Sequence, residues 1–175
     1  MKKYVLIFIM NIILFLLQTT LFDALSIGNV VPNLMVVITS AAGLLYGEKA
    51  GMFSGVVSGI LIDFMYSDTI GLCIFIYALI GFLNGKASRI YYKEDLYLPM
   101  LSMTLSDLVY GALYYLFFFL LAGRLQIVYF ACNIMLPEMV YTLLVGLILY
   151  KFLLWIDRRM YPPAEVPLRD TMTER

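Results

Sequence analysis

Apolar residues in this sequence are gathered into six long runs, which short polar segments separate. An α-helix needs about 20 mainly apolar residues to cross the hydrocarbon core of a bilayer. The pattern therefore predicts an all-α membrane protein with about six transmembrane helices, in the runs Tyr4–Leu25, Val31–Tyr46, Gly51–Tyr66, Ile70–Gly85, Tyr97–Ala122 and Ile127–Trp155. The second, third and fourth runs are short for a full crossing, so we expect them to lie among other helices or where the bilayer is thin.

Some of these runs allow a second interpretation. Lys2 and Lys3 precede the first run, as in a signal peptide. No A-x-A-like cleavage site follows that run and further apolar runs come after it, so an uncleaved first span is the better interpretation. A pair of the short runs could instead form a re-entrant hairpin, but the placement of charge favours complete crossings.

The charged residues indicate the orientation of the predicted helices. With the N-terminus in the cytoplasm, six crossings place every Lys and Arg inside except Arg124. The positive-inside rule predicts this asymmetry. We therefore expect both termini in the cytoplasm, one membrane domain over residues 1–161, and a polar, disordered cytoplasmic tail over residues 162–175.

Composition excludes several classes of function. Apolar residues make up 63% of the chain and charged residues only 14%, whereas soluble domains have about 45–50% and about 25%. The net charge is zero, so we expect no nucleic-acid partner. The chain lacks histidine, and Cys73 and Cys132 have no ligand or disulfide spacing. Because no phosphate-binding loop or hydrolase motif is present either, we expect neither enzymatic activity nor a cofactor.

Glycines recur at every fourth position of the third run. Gly51, Gly55 and Gly59 share one helix face, and Asp63 continues the series. The fourth run contains a shorter series with Gly81. Small residues allow two helices to approach closely in lipid. Packing within the protein is the simpler explanation, and a docking face for another membrane protein is the functional one.

Three carboxylates interrupt the apolar runs, at Asp63, Asp107 and Glu138. Asp63 lies near the predicted outer end of its helix, where it can reach water or cap the next helix, as Asp68 also can. Asp107 lies inside its run with no basic residue in any run to pair with it, so it is the best candidate for a buried polar contact that anchors internal packing. Three scattered acids do not indicate a proton pathway.

Two prolines mark helix starts. Pro32 and Asn33 open the second run, as proline and a polar cap residue commonly do. Pro137 precedes Glu138, and a carboxylate favours the first turn of a helix. The last span can therefore begin at Pro137, with residues 123–136 as an outer interfacial segment. A longer, kinked helix is the alternative.

The order and spacing of these motifs resemble the rod shape-determining protein MreD family. The motifs, in chain order, are Pro32-Asn33-Leu34, Glu48-Lys49, Gly55 with Gly59 and Asp63, Ile70-Gly71-Leu72, Tyr77 with Gly81, Leu136-Pro137, and Arg158-Arg159. Residues 51–85 carry most of the resemblance, which covers nearly the whole chain. The chain departs from the family at Thr142, where many relatives carry Asn, so the resemblance does not secure a polar contact there.

The resemblance implies a polytopic protein of the bacterial cytoplasmic membrane that acts with MreC and the actin-like filament protein MreB. Such proteins help to direct lateral peptidoglycan synthesis and so maintain rod-shaped cells. The implied role is a non-catalytic scaffold that binds the single membrane helix of MreC and contacts the peptidoglycan synthase pair. The implied fold is similar to the substrate-binding subunits of energy-coupling-factor vitamin transporters.

On this basis we expect the third and fourth helices to form a partner surface around Gly55, Gly59, Asp63 and Gly81. The remaining residues singled out as partner-binding or structural motif are Pro32, Asn33, Gly71, Tyr77, Asp107 and Pro137.

The alternative function is a small-molecule, vitamin-type binding subunit of a transporter. It needs polar groups that converge near the outer face, where the sequence offers Asn29, Asp68, Arg124, Gln126 and Asn133.

Overall fold

The computed structural model describes residues 2–22, 24–26, 30–66, 70–90, 96–120 and 131–160. Within these ranges six α-helices account for most of the chain. They are α1 (Lys2–Leu17), α2 (Leu34–Tyr46), α3 (Glu48–Tyr66), α4 (Leu72–Ala87), α5 (Tyr97–Tyr114) and α6 (Leu136–Met160). The predicted all-α fold is confirmed, whereas the predicted tail over residues 162–175 lies outside the described residues.

Wider π-helical turns extend three of these helices. Gln18–Phe22 continues α1, Tyr115–Leu120 continues α5, and Ala131–Met135 leads directly into α6. Pro137 therefore lies inside one continuous helix, in the first turn of α6. The two alternatives for residues 123–136 were an outer interfacial segment and a longer helix. Residues 131–136 are helical and so belong to a longer helix, whereas residues 123–130 lie outside the described residues.

Two helical segments in the described ranges are long and apolar enough to cross a membrane. They are Lys2–Phe22, with 21 residues, and Ala131–Arg159, with 29 residues. Helices α2 and α4 are apolar but shorter, with 13 and 16 residues. At about 1.5 Å per residue, α2 extends about 20 Å, against about 30 Å for a hydrocarbon core. These lengths are consistent with a membrane location.

Helix α2 lies at the centre of the molecule. Every residue from Leu34 to Leu44 is buried, and α2 packs against α1, α3, α4, α5 and α6. A helix that is apolar on all sides is typically enclosed by other helices. The short second run therefore forms a core helix, whereas the surrounding helices each leave apolar side chains exposed.

Basic side chains of several helices lie at one end of the molecule. Lys3 of α1, Lys49 of α3 and Arg89 after α4 line one recess. Near this end Leu153 of α6 lines a cavity together with Leu6 of α1. The lysine at the start of α1 and the arginines at the end of α6 therefore belong to the same end of the bundle.

Candidate functional site

The interface between α3 and α4 is built from glycines that face one another. A Cβ atom at Gly51 would collide with the carbonyl oxygen of Gly81, and a Cβ atom at Gly81 would collide with that of Gly51. Gly55 and Gly59 meet the backbone of α4 in the same way. Because no side chain intervenes, the two helices approach to backbone contact along this face.

This packing corrects the prediction of a partner surface around Gly55, Gly59, Asp63 and Gly81. All four residues are buried, since α4 covers the glycine face of α3. A partner helix could reach that face only by displacing α4. A neighbouring face of α3, about 100° around the helix from the glycines, carries exposed apolar side chains at the same spacing, namely Met52, Val56, Ile60 and Phe64.

The carboxylate of Asp63 caps the start of α4. Its Oδ2 atom accepts hydrogen bonds from the backbone N–H groups of Gly71 at 2.7 Å and Ile74 at 3.4 Å, and Oδ1 accepts one from Cys73 at 3.2 Å. Gly71 has a φ of +117°, a backbone conformation that favours glycine. Of the two roles expected for Asp63, capping is the one observed, because the residue is only 1% exposed. Asp68 lies outside the described residues.

Asn33 joins three helices at the buried start of α2. Its Oδ1 atom accepts a hydrogen bond from the backbone N–H of Val36 at 3.2 Å, which caps α2, and another from the Tyr77 hydroxyl at 3.0 Å. The backbone N–H of Asn33 donates to Thr142 Oγ1 of α6 at 2.9 Å. Thr142 therefore does make the polar contact that its departure from the family pattern had left in doubt.

Gln18 completes this junction from the end of α1. Its side-chain Oε1 accepts a hydrogen bond from the backbone N–H of Leu34 at 2.8 Å. The first N–H groups of a helix have no partner within the helix, and a buried helix start must find them elsewhere. Side chains of α1, α4 and α6 thus hold the first turn of α2. We call Gln18, Asn33, Tyr77 and Thr142 the α2 junction.

Two acidic side chains lie beside the α2 junction. Asp107 of α5 is 5% exposed, and the Thr142 hydroxyl is within hydrogen-bonding reach of it. Glu138, one turn before Thr142 on α6, is close to Asn33 and Asp107. Among the described residues, Asp107 Oδ1 has no hydrogen-bond partner. Asp107 is thus an interior residue where α5 approaches α6, and its role as a packing anchor stays a prediction.

A row of tyrosines packs against the same junction between α4 and α5. The rings of Tyr77 and Tyr110 are 5.1 Å apart, and those of Tyr110 and Tyr114 are 5.7 Å apart. Tyr77 is fully buried. Its ring fills the core while its hydroxyl reaches Asn33, as buried tyrosines commonly do.

A second polar network, which the sequence pattern did not predict, joins α1, α2 and α3. Asn11 Nδ2 donates to Ser54 Oγ at 3.0 Å, and Ser58 Oγ donates to Asn11 Oδ1 at 2.6 Å. The hydroxyls of Ser58 and Thr39 are 3.1 Å apart. The available signal was Asn11 itself, because an amide in the middle of an apolar run needs a polar partner.

A third network, also not predicted, joins α4 to α5. Asn84 Nδ2 donates to Ser106 Oγ at 2.7 Å, and Ser102 Oγ donates to Asn84 Oδ1. These side chains line a cavity of about 120 Å³ between the two helices. The polar contact between α4 and α5 therefore depends on the side chain of Asn84, and a cavity lies beside it.

The side-chain contacts described above connect helices that are distant in sequence. Within the described ranges, no three acidic or cysteine side chains converge as metal ligands would. Of the polar residues considered for an outer ligand pocket, Asn133 is exposed at the start of the last helix, whereas Asn29, Asp68, Arg124 and Gln126 lie outside the described residues.

Comparison with known proteins identifies a family. A protein-family model, rod shape-determining protein MreD, matches residues 1–156. No curated protein and no solved structure matches significantly.

Proposed function

The chain belongs to the MreD family of rod shape-determining proteins, and from this membership we propose that it is a non-catalytic scaffold of the bacterial cell-elongation machinery. The observation that carries the proposal is the family match, which extends over residues 1–156. Membership supports a role in rod-shape determination. The finer role that we propose is to hold partner proteins together where lateral peptidoglycan synthesis takes place.

We propose that the protein crosses the cytoplasmic membrane six times, with both termini in the cytoplasm. The apolar helices are consistent with a membrane location. The grouping of Lys3, Lys49 and Arg89 at one end supports the orientation, because cytoplasmic ends carry an excess of Lys and Arg. Arg158 and Arg159 in the last turn of α6 add to the same end. The short α2 is tolerated because other helices enclose it.

The proposed partner in the membrane is the single helix of MreC. We place it on the outward face of α3, along Met52, Val56, Ile60 and Phe64. Two observations favour this face. The glycine contacts attach α3 to α4, and the Asn11 hydrogen bonds attach it to α1, so α3 is fixed within the bundle. An apolar stripe on a firmly held helix offers the shape complementarity on which helix association in lipid depends. The MreB filament and the peptidoglycan synthase pair are further partners of the same assembly.

The first test is co-expression with MreC from the same genome, followed by a pull-down in mild detergent. A stable complex is the expected result. If the chain is folded and monodisperse but retains no MreC, the scaffold proposal fails.

The interface is tested by paired tryptophan substitutions. Val56→Trp with Ile60→Trp enlarges the outward face of α3, and we expect at least about tenfold less MreC to be retained. Leu144→Trp with Ile148→Trp enlarges the exposed face of α6 and serves as the matched control. A Gly59→Leu variant would not locate the interface, because it disrupts α3 and α4 internally. Equal loss of MreC from both pairs would contradict the assignment to α3.

The alternative function is a vitamin-type, small-molecule binding subunit. The observation in its favour is the convergence of Asn33, Asp107, Glu138 and Thr142, which ordinary packing does not require. Mass spectrometry of the purified chain distinguishes the two functions. A retained small molecule without MreC binding would favour the alternative.

A further inference from the structure

A recess of about 360 Å³ opens at the basic end of the helices. It lies between the start of α1, the α2–α3 turn and the segment that follows α4. Its lining includes Lys3, Lys49 and Arg89, which come from these three separate parts of the chain. Side chains of one sign have therefore been brought together by the fold rather than by a run in the sequence.

Most of the positive charge in this recess is not neutralised within the described residues. Glu48 is the acidic residue of the lining, and its Oε1 atom pairs with Arg89 Nη2 at 3.0 Å. Lys3 and Lys49 form no ion pair with any described residue. The start of α3 adds the partial positive charge of a helix N-terminus. The recess thus favours an anion.

The surroundings of the recess indicate what kind of anion fits. Tyr4 and Tyr46 line it, and tyrosine prefers the boundary between lipid headgroups and acyl chains. Exposed apolar side chains begin next to the basic ones, at Val5 on α1 and Met52 on α3. A ligand with an anionic head and an apolar tail matches a basic recess that is bordered by tyrosines and then by apolar side chains. An acidic peptide would match only the charged part.

We propose that this recess binds the phosphate headgroup of an anionic phospholipid in the cytoplasmic leaflet. Lys3 and Lys49 contact the phosphate, Arg89 stays paired with Glu48 at the rim, and the acyl chains lie along α1. The bound lipid fixes the depth of the basic end at the membrane surface. The proposal concerns a lipid site and does not require that MreC bind to α3.

The test uses the purified full-length chain in a neutral detergent. Phosphatidylglycerol and phosphatidylcholine are titrated separately, and binding is followed by native mass spectrometry and by the thermal unfolding midpoint. Wild-type protein is expected to bind phosphatidylglycerol in preference and to be stabilised by it. A basic side chain near an anionic lipid contributes about fivefold in affinity. The Lys3→Gln/Lys49→Gln variant should therefore bind about 25-fold more weakly.

The matched control is Lys151→Gln, which removes one charge from an exposed position on α6 outside the recess. It should bind phosphatidylglycerol as wild type does, whereas Lys49→Gln alone should bind about fivefold more weakly. Lys49 is exposed, so this single variant keeps the test valid if the double variant misfolds. Equal loss from Lys151→Gln, or no preference for phosphatidylglycerol in the wild type, would overturn the proposal. Equal stabilisation by inorganic phosphate alone would also overturn it, because the site would then recognise free phosphate.

Discussion

The two sides of α4 are packed by opposite means. Toward α3 it presents Gly81 and backbone, and the helices meet without intervening side chains. Toward α5 it presents Asn84, whose amide reaches Ser102 and Ser106 across a gap that leaves a cavity of about 120 Å³. Backbone contact cannot be adjusted by a change of rotamer, whereas a side-chain contact can. We therefore expect α3 and α4 to behave as one rigid pair, with α5 as the more weakly attached helix.

The largest loss of stability is expected from Gly81→Leu, which disrupts the backbone contact between α3 and α4. Its side chain would meet the backbone of Gly51, so the helices must separate. Overpacking of this kind costs about 1–3 kcal/mol and more where backbone must move, so we expect about 3 kcal/mol or more. Unfolding in mixed micelles, followed by circular dichroism, measures the loss. The control is Val56→Leu on the outward face of α3, which should be nearly neutral.

The next effect tests the cap that completes the rigid pair. Asp63→Leu removes the acceptor for the N–H groups of Gly71, Cys73 and Ile74, and we expect about 2 kcal/mol of destabilisation. Asp63→Asn keeps one acceptor oxygen and should lose less. The same unfolding measurement compares the two variants. Equal stability of Asp63→Leu and wild type would show that the cap is dispensable.

A smaller effect is expected where α5 approaches α6. Asp107→Leu removes the carboxylate beside Thr142, and we expect about 1.5 kcal/mol lower stability together with lower expression. Asp107→Asn, which keeps the shape and one acceptor, should be closer to wild type. Unchanged expression and thermal stability of Asp107→Leu would show that Asp107 does not anchor packing.

The smallest loss of stability is expected at the side of α4 that contacts α5 through side chains. Asn84→Ala removes the hydrogen bonds to Ser102 and Ser106, and interhelical hydrogen bonds in membranes contribute about 0.6 kcal/mol on average. We expect about 1 kcal/mol for the two together. Thermal unfolding beside Gly81→Leu gives the comparison directly. A loss as large as that of Gly81→Leu would remove the distinction between the two sides of α4.

Local features of the fold could be predicted from the sequence. Each of the six apolar runs contains most of one described helix, because the hydrophobic pattern and the helix period are properties of consecutive residues. The start of α2 after Pro32 and Asn33 follows from the geometry of a helix cap. The cap at Asp63 was one of two expected roles, and only the fold shows that Gly71 is placed within its reach.

Which helix packs against each face of another helix is known only from the folded structure. The four-residue spacing of Gly51, Gly55 and Gly59 places them on one face of the helix. Close packing requires small residues on that face whether the neighbour is another helix of this chain or a helix of a partner protein. Likewise, the sequence contains Asn11, Ser54 and Ser58, but their hydrogen bonds exist only once α1 lies against α3. Helix formation depends on neighbours in the chain, whereas the choice between core and partner surface depends on contacts between residues distant in sequence.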